Sequence, residues 1–285
     1  MWDTRSFDRH ARSGTRSGTP THSAANHDKS GCLRFTLRAL QFALLSFLLM
    51  ALFSLPANQS RILQVRSFHE LLTTPMINGI NALCWERKLP GNFQEVVSLL
   101  EVVEGIMPLD EEHLRNLTAS AEGRVAANIM LDDLGRLQAL GLAPELNCIH
   151  GYPRDEAEGP VATDVFSFHV DSAPVRTDTW LCTYHGAASE GLSHHEAQRK
   201  IDIPATRQAL LALYGGEDDP DFSAFLQDHC YDLHYEPLPG AQPFNFGQGN
   251  LWRIATEWPG NPVPPCIHRA PFTTAADPPR LLLIS

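Results

Sequence analysis

The chain has 285 residues, with 33 acidic side chains against 22 basic ones and a formal net charge of -11. This length is sufficient for one large domain or two small ones, each with a buried core. The composition, 43% hydrophobic and 19% charged, is ordinary for a globular protein. Because an acidic surface repels phosphate backbones, the charge argues against general nucleic-acid binding.

The first sixty residues differ in character from the rest of the chain. Residues 1–37 are basic, rich in Ser, Thr, Gly and His, and contain too few apolar side chains to form a core, so the sequence predicts that they are disordered. A hydrophobic segment follows at 38–57. Its apolar run from Ala39 to Leu55 is about 17 residues long, near the lower limit for crossing a bilayer.

Three interpretations of the segment 38–57 are open. If translation starts at Met1, the segment is a membrane anchor of a single-pass protein, and Arg34 and Arg38 are its positive-inside flank. If translation starts at Met50, the preceding residues belong to an upstream reading frame and the protein is soluble and cytoplasmic. A cleaved signal peptide is the third interpretation, although the residues that end the segment form a poor cleavage site. The six scattered cysteines, without a C-x-x-C pair, indicate reduced thiols and favour the cytosol.

Between residues 61 and 150 the hydrophobic periodicity predicts a mixture of strands and helices. The predicted elements are a short strand or the start of a helix at 61–75, a strand at Ile80–Trp85, and helices at Phe93–Glu104, Pro108–Leu117 and Asn128–Leu142. Asn92 is a predicted N-cap for the first of these helices. We expect the helices of this half to pack outside a sheet.

After Gly151, strand-like runs alternate with Gly- and Pro-rich turns, a pattern typical of an antiparallel sandwich or barrel. The predicted strands are Val165–Val170, Thr179–Tyr184, Leu233–Leu238, Leu251–Glu257, Cys266–Arg269 and Arg280–Ile284. Residues 194–230 interrupt them as a predicted helical insert, with helices from His195 to Tyr214 and from Asp221 to His229. The sequence therefore predicts a single α+β domain over 61–285.

A candidate metal site lies at the end of the strand predicted at 165–170. Side chains alternate along a strand, so Ser167, His169 and Asp171 share one face. This spacing suits two ligands of one metal ion, and His268 on a late strand is the natural third ligand. Two histidines and a carboxylate make a facial triad that suits Fe(II) and leaves positions open for other ligands, and the same donors suit zinc. The alternative is a hydrogen-bonded His–Asp pair in a polar layer of the core.

The order of these residues resembles the iron(II)/2-oxoglutarate oxygenase superfamily, in which H-x-D on an early strand is followed by a distal histidine and by a basic residue on the next strand. The resemblance covers residues 166–285. It implies an antiparallel jelly-roll, or double-stranded β-helix, with Fe(II) and 2-oxoglutarate as cofactors. It also implies that Arg280 binds the far carboxylate of 2-oxoglutarate, for which a bidentate guanidinium is suited. Arg269 is the alternative residue for this contact, and Tyr184 is a further candidate for cofactor binding.

A second resemblance, to the bacterial domain-of-unknown-function 1826 family, is closer and spans about residues 80–285. It is carried by FHVD at 168–171, LCTYHG at 181–186, HRAP at 268–271 and RLLL at 280–283. The family implies a fold and the location of a site, but it has no settled activity. The chain departs from the family pattern after Gly186, where AASEG replaces a P-G-T-E-W turn.

Three functions are compatible with these residues. The first is a non-haem iron(II) 2-oxoglutarate-dependent oxygenase in which His169, Asp171 and His268 form the catalytic centre. The second is a cupin-like module that handles zinc or iron without catalysis and does not need Arg280. The third is a structural or partner-binding domain without a metal. No motif specifies the substrate, a small molecule or a protein, or the oligomeric state.

Overall fold

The structure is a computed structural model that describes residues 61–152 and 159–285, which belong to one compact unit. The predicted disordered region 1–37 and the hydrophobic segment 38–57 lie outside the described residues. Within the described part of the chain, no helix has both the length and the apolar character that crossing a membrane requires.

The described residues form a mixed α/β fold of two sheets and six α-helices. The strands are β1 (Ile62–Val65), β2 (Ala82–Trp85), β3 (Gly105–Leu109), β4 (Glu145–His150), β5 (Phe168–His169), β6 (Asp178–His185), β7 (Glu190–Leu192), β8 (Ala197–Arg199), β9 (His234–Pro237), β10 (Phe244–Asn245), β11 (Leu251–Ala255), β12 (Ile267–Arg269) and β13 (Arg280–Ile284). The helices are α1 (Phe68–Thr73), α2 (Phe93–Leu100), α3 (Glu111–Asn116), α4 (Ala121–Gln138), α5 (Pro204–Tyr214) and α6 (Pro220–Asp228).

The strands divide between a seven-stranded and a six-stranded sheet. The order in the first sheet is β1-β2-β11-β6-β13-β4-β3, and in the second it is β10-β7-β12-β5-β9-β8. Neighbouring strands are antiparallel, except that β1 and β2 are parallel.

One face of the seven-stranded sheet packs against the helices of the first half of the chain. Trp180, Cys182 and Tyr184 alternate along β6 and share this face with Leu281 and Leu283 of β13. The helices contribute a matching apolar surface, from residues such as Val96, Leu114, Met130 and Leu137. Each large side chain buried here stabilises the fold by about 1.5–3 kcal/mol. The prediction of helices packed outside a sheet is confirmed.

The opposite face of the seven-stranded sheet is turned towards the six-stranded sheet and carries polar side chains among the apolar ones. Thr179, Leu181 and Thr183 share this face of β6, and Arg280 lies on it in β13. Hydrogen bonds link the sheets, from Thr179 to Asp171 and from Arg280 to Ser189. The space between the sheets is therefore the polar part of the interior.

The strand predicted at 165–170 is shorter than expected. Only Phe168 and His169 pair as strand β5, since a turn occupies the preceding residues. In that turn Asp164 accepts two hydrogen bonds, from the backbone amide of Phe166 to its side chain and from that of Ser167 to its carbonyl oxygen. Because both amides are hydrogen-bonded within the turn, they cannot donate to a neighbouring strand, and the strand does not extend to these residues.

The insert at 194–230 is not wholly helical, as the sequence had suggested. It begins with a 3₁₀ turn and the strand β8, which pairs with β9 at the edge of the six-stranded sheet. The first helix starts at Pro204 instead of His195, because proline lacks the N–H that a helix interior requires but fits the first turn. This helix ends at Gly215, which has a φ of 75°.

Two further boundaries differ from prediction in the first half of the chain. Pro108 and Leu109 end the strand β3, and α3 begins only after Asp110, whose side chain accepts a bond from the His113 amide. Helix α4 starts at Ala121, seven residues before the prediction at Asn128, because Ser120 caps it. The sequences of strands β3 and β4 show no clear alternation of apolar and polar residues, and neither strand was predicted from the sequence.

Candidate metal centre

Three predicted ligands meet in the space between the two sheets. His169 on β5 and His268 on β12 lie directly opposite each other in the antiparallel pairing of these strands. One ligand atom from each histidine and one from Asp171 all lie within 4.8 Å of one another. Nε2 of His268 is 3.6 Å from Oδ2 of Asp171, and Nε2 of His169 is 3.9 Å from Oδ1.

Both imidazole rings are oriented by the backbone. Nδ1 of His169 donates to the carbonyl oxygen of Ser167 at 2.7 Å, and Nδ1 of His268 donates to the carbonyl oxygen of Cys266 at 3.2 Å. With its proton on Nδ1, an imidazole presents the lone pair of Nε2 to the other ligands. This is the arrangement by which proteins fix the tautomer of a metal-binding histidine.

Asp171 is held by both its backbone and its side chain. Its carbonyl oxygen accepts from the amide of Glu257 at 2.7 Å, which fixes the chain just beyond β5. Its carboxylate oxygen Oδ2 accepts from the hydroxyl of Thr179 at 2.5 Å. The carboxylate is thereby directed back towards the two histidines.

The protonation states at neutral pH also suit metal binding. Burial, together with the neighbouring His268 ring, lowers the pKa of His169 to about 4, so this imidazole is neutral. Burial by itself raises the pKa of Asp171, but the two histidines and the Thr179 hydroxyl outweigh it and bring the pKa below its ordinary value. A neutral imidazole and an ionised carboxylate are the forms that bind a metal ion.

The three side chains fit a divalent metal by their chemistry and spacing. Ligand atoms around an ion at bond lengths near 2.1 Å lie about 3–3.5 Å apart. The histidine nitrogens lie 3.6 and 3.9 Å from different oxygens of Asp171, and one ligand atom from each residue lies within 4.8 Å of the others, so small side-chain movements would bring the three ligands to one ion. The donors N, N and O suit Fe(II) and zinc. The side chain of His268 is 8% exposed and that of Asp171 is 34% exposed, so solvent reaches the site from the Asp171 side.

Arg280 faces the same inter-sheet space and is almost completely buried, with 1% of its surface exposed. Its guanidinium donates to the hydroxyls of Tyr152 at 2.7 Å, Thr183 at 3.3 Å and Ser189 at 3.2 Å, all neutral groups. Nε has no partner, and no acidic side chain among the described residues pairs with this arginine. Burial lowers the pKa of Arg280, but a guanidinium stays charged in proteins. A buried charge without a counter-ion is costly, so the site suits an anionic ligand.

A second unsatisfied polar atom lies near Arg280. Asn147 on β4 is 1% exposed, and its Oδ1 has no hydrogen-bond partner in the described part of the chain. Asn147 is paired with Leu282 on β13, two residues from Arg280, so both polar side chains are on the same face of the sheet. The region around Arg280 therefore offers a ligand both a hydrogen-bond donor, Nε of Arg280, and an acceptor, Oδ1 of Asn147.

The structure does not bring the other two candidate cofactor residues to the ligands. Arg269 follows His268 on β12 and points to the opposite face, where it pairs with Glu190 at 2.6 Å and covers the ring of Phe168. Tyr184 lies on the helix-facing side of β6, and its hydroxyl donates to Asp133 at 3.0 Å. Of the three candidates, only Arg280 faces the space that contains the ligands.

Sequence reasoning missed the polar residues that support the site. Thr179 and Thr183 are four residues apart in β6 and flank the apolar run from Trp180 to Cys182, and this spacing on one face was a signal that could have been used. His234 could not have been found in this way. It is a buried residue opposite His169 in the β5–β9 pairing, with the two ring centroids 5.7 Å apart.

Comparison with known proteins does not assign the chain, or this site, to a family. A scan of the chain against models of protein families found no match, and a search among curated proteins found none either. The class that the fold and the residues define is a two-sheet α/β protein with a candidate His–Asp–His metal centre.

Proposed function

We propose that the protein is a non-haem iron(II) oxygenase that uses 2-oxoglutarate. The observation that carries the proposal is that the His169–Asp171–His268 cluster shares the inter-sheet space with a buried arginine that has no acidic partner among the described residues. A divalent ion and a fixed cation together attract a dicarboxylate. The resemblance to the domain-of-unknown-function 1826 family stays a prediction.

The strand connections support a jelly-roll within this fold. Eight strands, β4 to β7 and β10 to β13, form two sets of four, and within each set successive strands alternate between the two sheets. The first of them pairs with the last, the second with the seventh, the third with the sixth and the fourth with the fifth, always antiparallel. This nested pairing is that of a long hairpin wound into two sheets, which is how a jelly-roll is built.

The residues of the chain have separate tasks in this proposal. His169, Asp171 and His268 hold the Fe(II), which together with 2-oxoglutarate and oxygen supplies the oxidising chemistry. Arg280 binds the far carboxylate of 2-oxoglutarate, and the hydroxyls of Tyr152, Thr183 and Ser189 hold the guanidinium in position. Because these hydroxyls are neutral, they leave the positive charge available to the ligand.

The proposal is tested by adding Fe(II) and then 2-oxoglutarate to the purified chain without oxygen. We expect about one Fe(II) per chain, as three convergent ligands imply, and a weak visible absorption band when 2-oxoglutarate chelates the metal. Zinc binding without such a band would instead support the non-catalytic module. Absence of metal binding would leave His169 and Asp171 as a structural pair and refute the proposal.

Arg280→Met is expected to weaken the binding of 2-oxoglutarate while leaving Fe(II) binding unchanged. The substitution keeps an unbranched buried side chain but removes a bidentate, charge-assisted contact, a loss of roughly 100-fold in affinity. Titration of the Fe(II)-loaded protein with 2-oxoglutarate measures the change. Arg269→Met is the matched control, since this arginine lies on the opposite face. Equal effects of the two substitutions would contradict the assignment of Arg280.

A further inference from the structure

The carboxylate of Asp171 is held from across the interior. Asp171 follows strand β5 of the six-stranded sheet, whereas Thr179 belongs to strand β6 of the seven-stranded sheet. The Thr179 hydroxyl donates to Oδ2 at 2.5 Å, within the range of charge-assisted O–H···O⁻ bonds. Thr179 is 7% exposed, so this bond is largely protected from competing water.

We propose that Thr179 is a positioning residue, which holds the carboxylate of Asp171 in the orientation that faces the two histidines. The inference rests on the proposed function only in requiring that the His169–Asp171–His268 cluster binds a metal. The hydroxyl donates to Oδ2, which also lies 3.6 Å from Nε2 of His268, whereas Oδ1 lies 3.9 Å from Nε2 of His169. The bond from Thr179 therefore fixes the carboxylate in an orientation in which each oxygen lies near one histidine.

The shape of Thr179 suits this task. A β-branched side chain on a strand has few rotamers, so the direction of its hydroxyl is nearly fixed by the backbone of β6. Asp171 lies beyond the last paired residue of β5, where a bridge between Ser172 and Glu257 and the bond from the Glu257 amide fix its backbone. The direction of the carboxylate itself is set by the Thr179 hydroxyl on the facing sheet.

Coordination by one oxygen has a chemical consequence. Two histidines and one carboxylate oxygen occupy three positions of a six-coordinate ion and leave three for other ligands. If the carboxylate turned so that both oxygens bound the ion, one of these positions would be lost. Because the Thr179 hydroxyl already draws on a lone pair of Oδ2, it disfavours binding of the ion by both oxygens and thereby favours the space that a chelating ligand requires.

The test uses Co(II) as a spectroscopic probe and compares Thr179→Val, Thr179→Ser and wild-type protein. Valine retains the branched shape without the hydroxyl, and we expect it to bind Co(II) about 10–100-fold more weakly, as is usual when a group supporting a ligand is lost. We also expect an altered visible Co(II) spectrum. Serine retains the hydroxyl and should return the affinity to within a few-fold of wild type, with the wild-type spectrum.

Thr256→Val is the matched control. Thr256 is 2% exposed and its hydroxyl donates to the carbonyl oxygen of Thr177 at 2.9 Å, so the substitution also removes a buried hydroxyl bond, but one that does not involve a ligand. Its Co(II) affinity should equal that of wild type. If Thr179→Val does not fold, as judged by thermal unfolding without metal, Thr179→Ala is compared with Thr179→Ser in its place.

The outcomes separate this inference from the proposed function. If wild-type protein binds no Co(II), the metal centre itself is refuted. If wild type binds and Thr179→Val binds within twofold with the same spectrum, the positioning role is refuted and the metal centre stands. If Thr179→Ser, which keeps the hydroxyl, is as weak as Thr179→Val, the hydroxyl bond does not account for the affinity, and its positioning role is again refuted.

Discussion

Asp171→Ala is expected to abolish metal binding, with a loss of affinity well above 100-fold. Loss of a group that merely supports a ligand costs about 10–100-fold, so loss of the charged ligand itself costs more. The two histidines remain oriented by the carbonyl oxygens of Ser167 and Cys266, but two neutral donors do not balance the charge of a divalent ion. Calorimetric titration with Fe(II) under anaerobic conditions measures the change.

Thermal unfolding provides an independent reading of the same substitution. A ligand that binds only the folded state raises the melting temperature, so excess metal should stabilise wild-type protein and leave Asp171→Ala unchanged. Asp178→Ala is the control, because this half-buried carboxylate is near Thr179 in the chain but pairs with Arg253 on the other face of β6. Wild-type metal affinity in Asp171→Ala would show that the cluster is a structural His–Asp pair.

Asp133→Ala is expected to lower the free energy of unfolding by about 3–5 kcal/mol, the usual cost of leaving a buried charge without its partner. Asp133 on α4 pairs with Arg87 at 2.7 Å, and the two side chains are only 3% and 8% exposed. Asp133 also accepts a hydrogen bond from Tyr184. Urea unfolding at neutral pH measures the change.

The control for this prediction replaces both charges together. Arg87→Met combined with Asp133→Leu removes the pair without leaving a buried charge, and should cost less than Asp133→Ala alone. Metal affinity should be unchanged in both variants, since the pair lies on the helix-facing side of the seven-stranded sheet. A loss below about 1 kcal/mol for Asp133→Ala would mean that solvent reaches Arg87 more readily than its burial indicates.

The local pattern of residues 166–171 was sufficient to predict a shared face for His169 and Asp171, since alternation depends only on the extended backbone. Strands β6, β11 and β13 were also predicted, because each contains a long run of apolar residues. The prediction failed for the insert, where β8 has three residues and no distinct pattern. Its pairing with β9 depends on which edge of the sheet is accessible, and no local signal carries that information.

The sequence by itself determined which residues could form the site, and the tertiary structure decided which of them do. Alternation and residue chemistry selected His169, Asp171 and His268 as candidate ligands, and the family resemblance added Arg280 as the cofactor-binding residue, with Arg269 as its alternative and Tyr184 as a further candidate. Only the pairing of strands, with β5 opposite β12 and the two sheets facing each other, distinguishes Arg280 from the others and brings Thr179 to Asp171. The physical reason is that alternation assigns a side chain to one of two faces of a strand, whereas long-range pairing and packing determine what each face meets.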